Sequence, residues 1–216
     1  MPHRAAGFLL ILGGVLSSAP AAGQGAPAPP GPYVVDVRGA SSGLPQGAAF
    51  LPSLAGDTPV PSRGNGFDVG GHVYFGRVGG ARLGVGANLV SVRGKAVPPR
   101  TTSSTATSST PTGLPGVRVT PRTIAPQVSL NFGTTDGWSY LSAGVGITEV
   151  SARTVDLVET SRDSGSLMTI NAGAGARWFV KRRIAVGFDA RLHRLAKTET
   201  VSASMLFSIA AGISLR

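Results

Sequence analysis

The 216-residue sequence contains no cysteine, little charge and few aromatic residues. Without cysteine the chain has no disulfide, no thiolate metal site and no lipid-modified N-terminal cysteine. Charged residues make up 14% of the chain, which argues against a charge-rich disordered protein. Glycine, by contrast, occurs 31 times, and this content argues against a helical bundle. The length is sufficient for one all-β domain.

The formal net charge of +10 comes mainly from arginine. A net positive charge of this size is often found in nucleic-acid-binding proteins. Here the arginines are scattered and no aromatic-rich basic patch accompanies them, so nucleic acid is not an expected partner. The sequence contains no HExxH metalloprotease pattern and no GxxxxGK[ST] phosphate-binding loop. We therefore expect neither an enzyme nor a metal or cofactor site.

The first 23 residues are predicted to be a signal peptide. MPHR provides a basic start, residues 5–18 are mostly apolar, and either Ala19-x-Ala21 or Ala21-x-Gly23 provides the small residues of a cleavage site. The apolar segment is shorter than the ~20 residues of a spanning helix, so cleavage is expected rather than anchoring. Residues 24–32 form a Pro-rich linker, and residues 33–216 are predicted to form one β-barrel.

Eight segments of the chain alternate apolar and polar residues with the period of two that indicates a β-strand. They are 33–39, 67–77, 81–92, 123–133, 138–148, 166–179, 183–195 and 202–215.

The connections between these segments differ in length in a regular way. Residues 78–80, 134–137 and 180–182 are short enough for hairpin turns. The alternate connections 40–66, 93–122 and 149–165 are long, and 196–201 is the exception. Short turns at one end and long loops at the other are typical of an up-and-down barrel in an outer membrane.

The two faces of the predicted strands have different compositions. One face carries aliphatic and aromatic residues, and no charge interrupts it in mid-strand. The other face combines small residues with polar and charged ones, which suits the interior of a narrow barrel. We therefore expect lipid on the apolar face and a lumen filled by ion pairs on the other. The predicted lumen network comprises Asp36, Arg38, Asp68, His72, Arg82, Arg177, Asp189 and Arg191.

Aromatic residues occupy the outward positions nearest the short turns. These are Tyr33, Phe75, Phe132 and Trp178. Amphipathic rings prefer the boundary between lipid and water, so this set predicts an aromatic girdle at one membrane interface.

This pattern, together with segments such as YLSAGVGIT and FSIAAGISL, resembles the small eight-stranded outer-membrane β-barrel proteins of Gram-negative bacteria, the class of the membrane domain of outer membrane protein A. The resemblance covers 33–216 and implies an all-β, antiparallel, transmembrane barrel in the outer membrane, monomeric and inserted by the barrel-assembly machinery. The family usually ends on an aromatic residue, whereas this sequence ends Ile213-Ser214-Leu215-Arg216, which puts recognition by that machinery in doubt.

The sequence favours a structural or surface-interaction role with a plugged lumen. A small-solute channel is the first alternative, and a secreted lipocalin-like carrier of an apolar ligand is the second, which requires the apolar face to point inward. A hydrolase at the loop-bearing rim would need His193 with Ser202 or Ser204 and Glu199. Arginines in the long loops suggest contacts with lipopolysaccharide phosphates, in addition to the membrane lipid itself. These cations are Arg63, Arg93, Lys95, Arg100, Arg118, Arg153 and Arg162.

Overall fold

A computed structural model of the chain describes residues 31–46, 50, 60–97, 116–134, 136–155, 161–197 and 203–216. The predicted signal peptide, most of the Pro-rich linker and the Ser/Thr-rich tract at 101–110 lie outside these residues. No helix in the described part of the chain has the length and apolar character needed to cross a bilayer.

The described residues form eight β-strands, which confirms the predicted number. They are β1 (Tyr33–Gly43), β2 (Arg63–Val78), β3 (Ala81–Ala96), β4 (Gly116–Gly133), β5 (Gly137–Val155), β6 (Ser161–Lys181), β7 (Ile184–Leu195) and β8 (Ser204–Leu215).

The strands close into a barrel in chain order. Each strand pairs with the next in antiparallel fashion, and β1 pairs with β8 to complete the ring. Arg38 on β1, for example, lies opposite Asp68 on β2 and opposite Gly212 on β8. Closure leaves no unpaired sheet edge, which is the condition for a β-structure to cross lipid. The predicted antiparallel up-and-down barrel is confirmed.

The apolar face of the strands points outward and the polar face points inward. On β6, the outward residues from Met168 to Trp178 are all apolar and most of them are exposed, whereas Asn171 and Arg177 are buried inside. This outward stretch matches the ~9–11 residues that a tilted strand needs to cross a bilayer. The lipocalin-like alternative is wrong, because it requires the apolar face to fill the interior.

Six strands, β1 to β6, extend further toward the long loops than the sequence predicts, and the differences are largest for β4, β5 and β6. β4 begins at Gly116 instead of 123, β5 runs to Val155 instead of 148, and β6 begins at Ser161 instead of 166. The predicted loop 149–165 is therefore mostly strand, and loops 40–66 and 93–122 are shortened at both ends. We call this end of the barrel the loop end, and the other the short-turn end.

The strand ends were predicted as loops because the surroundings of each strand change along its length, from lipid to water. We call the belt of exposed apolar residues around the outer wall the apolar band. Within this band, outward residues are apolar and inward residues are mostly polar or small. Beyond it the order is reversed: on β4 the inward residues Val117 and Val119 are apolar and fully buried, while outward Arg118 and Arg122 are partly or fully exposed. The period of two continues, but the apolar parity changes from outward to inward where the strand leaves the band.

Candidate functional site

Acidic and basic side chains meet in the middle of the lumen around Asp36 of β1. Nε and Nη2 of Arg177 donate to the two carboxylate oxygens of Asp36 at 2.8 and 2.6 Å. Nη2 of Arg38 lies 2.8 Å from Asp36 Oδ1, and Nη1 of Arg38 donates to Asp68 at 3.3 Å. The Ser214 hydroxyl also donates to Asp36. The fork of Arg177 thus crosses the lumen from β6 to β1 and holds the two walls together.

A second group of bonds surrounds Asp189 of β7. The Tyr140 hydroxyl donates to Asp189 at 2.7 Å, and Nη2 of Arg191 lies 3.1 Å from the same carboxylate. The Arg191 guanidinium also donates to three neutral side chains on β4, β5 and β6: Gln127 at 2.9 Å, Ser142 at 2.8 Å and Asn171 at 2.6 Å. One arginine therefore bonds to groups from four strands.

The formal charges of this middle layer cancel. Its buried ionic side chains are Asp36, Asp68 and Asp189 against Arg38, Arg177 and Arg191. A buried charge without its partner costs several kcal/mol, so each member of the layer is held by the others. The layer presents no excess charge of either sign to a passing ion.

The remaining predicted lumen residues lie beside this layer. His72 is buried next to Tyr74, with the two rings nearly parallel and their centroids 6.5 Å apart. Arg82 is half-buried at the short-turn end, where its guanidinium lies 6.0 Å from the centroid of the Tyr74 ring. His193 is buried on the inward face of β7, with Nε2 3.1 Å from the Ser208 hydroxyl oxygen.

An aromatic cluster fills the lumen at the short-turn end. It comprises Val34, Tyr74, Trp138 and Tyr140, with Phe179 packed against them. The Trp138 and Phe179 ring centroids are 4.8 Å apart, and the Arg177 guanidinium lies 4.1 Å from the centroid of the Tyr140 ring. The cation–π contact joins this cluster to the ionic layer above it.

An apolar cluster, which was not predicted from the sequence, fills the lumen at the loop end. Its members come from all strands except β2 and from the β1–β2 connection: Ala40, Leu44, Phe50, Val90, Val92, Val117, Val119, Val150, Ala152, Leu167, Leu195, Leu206 and Ala210. The sequence pattern that could have predicted this cluster is the period of two: the strand members occupy the inward positions of the same alternation that marks the membrane-spanning segments. The lumen is therefore filled in three layers: aromatic, ionic and apolar.

Glycine on the inward face leaves room for the large side chains that cross the lumen. Gly84 lies opposite Tyr74, and Gly175 lies opposite Tyr140. A Cβ atom on Gly84 would meet the Tyr74 ring at 2.5 Å, and one on Gly175 would meet the Tyr140 hydroxyl oxygen and the Phe188 carbonyl oxygen, both at 2.4 Å. The predicted use of small lumen residues thus has a direct steric basis.

Replacing Gly175 by alanine is expected to lower the free energy of unfolding by about 1–3 kcal/mol, because overpacking forces the neighbours to shift. The shift displaces Tyr140 from Asp189 and pushes against the backbone of β7. Chemical denaturation of the barrel refolded into lipid vesicles measures the change. Gly80→Ala is the matched control, because an added Cβ there meets nothing within 4 Å. Equal stability of the two variants would contradict the packing argument.

The predicted girdle residues lie on the outer wall near the short-turn end. Tyr33, Phe75, Phe132 and Trp178 are all exposed, between 41% and 63% of their surface. Three further aromatic residues are exposed on the same wall, Phe67, Phe188 and Phe207, and of these Phe67 and Phe207 lie toward the loop end. The outward aromatic residues are therefore not confined to one end, contrary to the sequence analysis.

The outer wall changes to polar and basic residues just beyond the apolar band at the loop end. The last apolar outward residues on β3, β4 and β5 are Leu89, Ile124 and Ile147. Toward the loop end three outward rows follow, aligned by the strand register: Ser91, Arg122 and Glu149; then Arg93, Thr120 and Ser151; then Lys95, Arg118 and Arg153. We call these the basic rows.

A cavity of about 590 Å³ lies among the basic rows. Its lining includes four arginines and two acids, namely Arg93, Arg118, Arg122, Arg153, Glu149 and Asp163. A β-bulge between Glu149 and Ser151 shapes it, and the Ser164 hydroxyl accepts a hydrogen bond from the Val150 amide at 2.9 Å. Three of these arginines, Arg93, Arg118 and Arg153, were predicted as loop residues, whereas Arg122 and the strand register that brings the rows together were not predicted.

The hydrolase alternative gains no support from the geometry. His193 points into the lumen toward Ser208 rather than to the rim. Ser202 and Glu199 lie outside the described residues. Residues 39–43, GASSG, match the GxSxG motif of a hydrolase nucleophile elbow. They lie inside β1, whereas a nucleophile elbow lies between a strand and a helix. Among the described residues there is also no cluster of three or more His, Asp or Glu side chains suited to a metal ion.

Comparisons with known proteins support the eight-stranded barrel fold. Neither a protein-family model nor a curated protein sequence matches the chain. The Neisserial surface protein NspA superposes with a TM-score of 0.53 at 15% identity, over 86% of this chain and 97% of its own. The attachment invasion locus protein Ail of Yersinia pestis, in complex with the heparin analogue sucrose octasulfate, gives 0.50 at 14% identity, over 85% and 97%.

The Escherichia coli outer membrane protease OmpT aligns less well, with a TM-score of 0.40 at 12% identity over 72% of this chain and 64% of its own. At these identities the similarity concerns the fold. The resemblance predicted from the sequence is confirmed at that level: the chain has the fold of the small eight-stranded β-barrels of the bacterial outer membrane.

Proposed function

We propose that this protein is a non-conducting outer-membrane β-barrel with a structural or surface-interaction role. The observation that carries the proposal is the filled lumen, with an aromatic layer, a charge-balanced ionic layer and an apolar layer along its length. A conducting pore of this strand number needs an open path, whereas eight strands leave an interior that side chains can fill. The proposed role is not enzymatic.

The outer wall supports a location in the outer membrane. Its band of exposed apolar residues would be costly in water and is favourable against lipid. By analogy with barrels of this layout, the short-turn end faces the periplasm and the loop end faces the outside. The girdle of Tyr33, Phe75, Phe132 and Trp178 then lies at the periplasmic interface, and the basic rows lie at the outer one.

The partners follow from this placement. The apolar band contacts membrane lipid, and the cations of the basic rows suit lipopolysaccharide in the outer leaflet. The barrel-assembly machinery is the proposed partner during insertion, and the inserted protein is proposed to be a monomer. The surface-interaction role belongs to the loop end, where connections 44–62 and 97–115 join the strands.

Two measurements test the proposal separately. For location, the protein is expected in the outer-membrane fraction and to change gel mobility when an SDS sample is boiled, because the closed ring resists SDS until heated. Recovery in the soluble periplasmic fraction without a mobility shift would refute this location.

For the lumen, we expect no steady single-channel conductance when the folded protein is inserted into a planar bilayer. The physical reason is that the ionic layer, anchored by Arg177 and Arg191, blocks the path. A general porin reconstituted in the same detergent serves as the positive control. Steady, voltage-resolved openings of the wild-type protein would instead establish the small-solute channel.

A further inference from the structure

The basic rows place like charges directly opposite one another on neighbouring strands. Arg118 of β4 lies opposite Lys95 of β3 on one side and opposite Arg153 of β5 on the other. Side chains in such positions have Cβ atoms about 4.5–5.5 Å apart, and like charges at this spacing destabilise a sheet. The arrangement is stabilised when an anion lies between the cations.

The cavity carries the donors that a phosphate group requires. Guanidinium groups form paired hydrogen bonds to phosphate oxygens. Beside the arginines, Thr120 and Ser151 line the same cavity and supply hydroxyl groups. The acids present are Glu149, which accepts a hydrogen bond from the Ser166 hydroxyl at 3.1 Å and lies opposite Arg122, and Asp163. Among the described residues, four arginines and two acids line the cavity, so the formal charge of this lining is positive.

The position of the cavity selects a lipid rather than a soluble anion. Arg122 and Glu149 are the next outward residues after Ile124 and Ile147, so the first basic row lies about 7 Å along the strands from the apolar band. Acyl chains packed against Leu89, Ile124 and Ile147 would place their headgroup at the rows.

We infer that this cavity binds a phosphate group of the lipid A headgroup in the outer leaflet, with Arg93, Arg118 and Arg122 as its principal cationic contacts. The inference rests on the proposed outer-membrane location. It makes the wall of β3, β4 and β5 a specific lipid site, beyond the general contact of the barrel with its membrane.

The test is native mass spectrometry of the folded protein in detergent micelles titrated with bisphosphorylated lipid A. One tightly bound lipid A per wild-type barrel is expected. Arg93→Glu/Arg118→Glu is expected to weaken this binding by about tenfold or more, because two charge-assisted contacts become repulsive. Arg194→Glu/Lys197→Glu is the matched control, since both residues are exposed cations of β7 and its loop end, and β7 lies across the barrel from β3. The control is expected to change the affinity by less than about twofold.

Three results would overturn the inference. Equal weakening by both double variants would show general electrostatic attraction instead of a site. Equal binding of dephosphorylated lipid A would show that the phosphate is not recognised. Tighter binding of inorganic phosphate or heparin than of lipid A at the same residues would assign the cavity to a soluble anion. The mobility shift of each variant, measured in parallel, separates these results from failure of the proposed barrel itself.

Discussion

Replacing Arg177 by methionine is expected to lower the free energy of unfolding by about 3–5 kcal/mol, because it leaves a buried carboxylate without its main partner. Arg177 is 1% exposed and donates two hydrogen bonds to Asp36 from the opposite wall of the lumen. Methionine fills a similar volume, so the loss measures the charge and its hydrogen bonds more than a cavity. Denaturant unfolding of the barrel in lipid vesicles, followed by tryptophan fluorescence, gives the value.

A double-mutant cycle separates the pair from its surroundings. Asp36→Asn/Arg177→Met removes both charges, and we expect it to be less destabilised than the sum of the two single variants, with a coupling of about 1–3 kcal/mol. Arg38 keeps its bond to Asp68 in the double variant. Arg194→Met, at an exposed position on β7, is the control and should change stability by less than about 0.5 kcal/mol. If the losses in free energy of unfolding caused by Asp36→Asn and Arg177→Met simply add in the double variant, the ion-pair argument is refuted.

The membrane part of the fold was predictable because it depends on a local rule. In a lipid-facing strand, neighbouring residues alternate between lipid and lumen, so the sequence reveals the faces without any knowledge of pairing. Asp36, Arg177 and Asp189 could therefore be assigned to the interior from their own strands. Beyond the band the rule reverses, and strands such as the start of β4 were interpreted as loops.

The pairing inside the lumen could not be predicted from the sequence. Which carboxylate meets which guanidinium depends on the stagger of eight strands and on the closure of β1 against β8. Arg177 and Asp36 are 141 residues apart in the chain, and no local pattern connects them. The same reason applies to the outer wall, where Lys95, Arg118 and Arg153 form one row only because of the register of β3, β4 and β5.

Replacing Ala172 by arginine is expected to destabilise the inserted barrel by about 2–4 kcal/mol, the cost of a cationic side chain on the lipid face near the bilayer midplane. Ala172 is exposed on the outer wall of β6, midway between Met168 and Trp178, and lies opposite Ala143 and Leu192. The same substitution on a water-facing wall would be nearly neutral. Guanidinium unfolding in vesicles therefore measures whether lipid covers this face.

Val180→Arg is the matched control on the same strand. Val180 is 64% exposed and lies beyond Trp178 at the short-turn end, where the cost of the charge should fall to about 0–1 kcal/mol. A large loss at Ala172 with a small loss at Val180 is the depth dependence of a bilayer. Similar small losses at both positions would mean that water, and not lipid, surrounds the barrel, because only a hydrocarbon layer distinguishes the middle of the strand from its end.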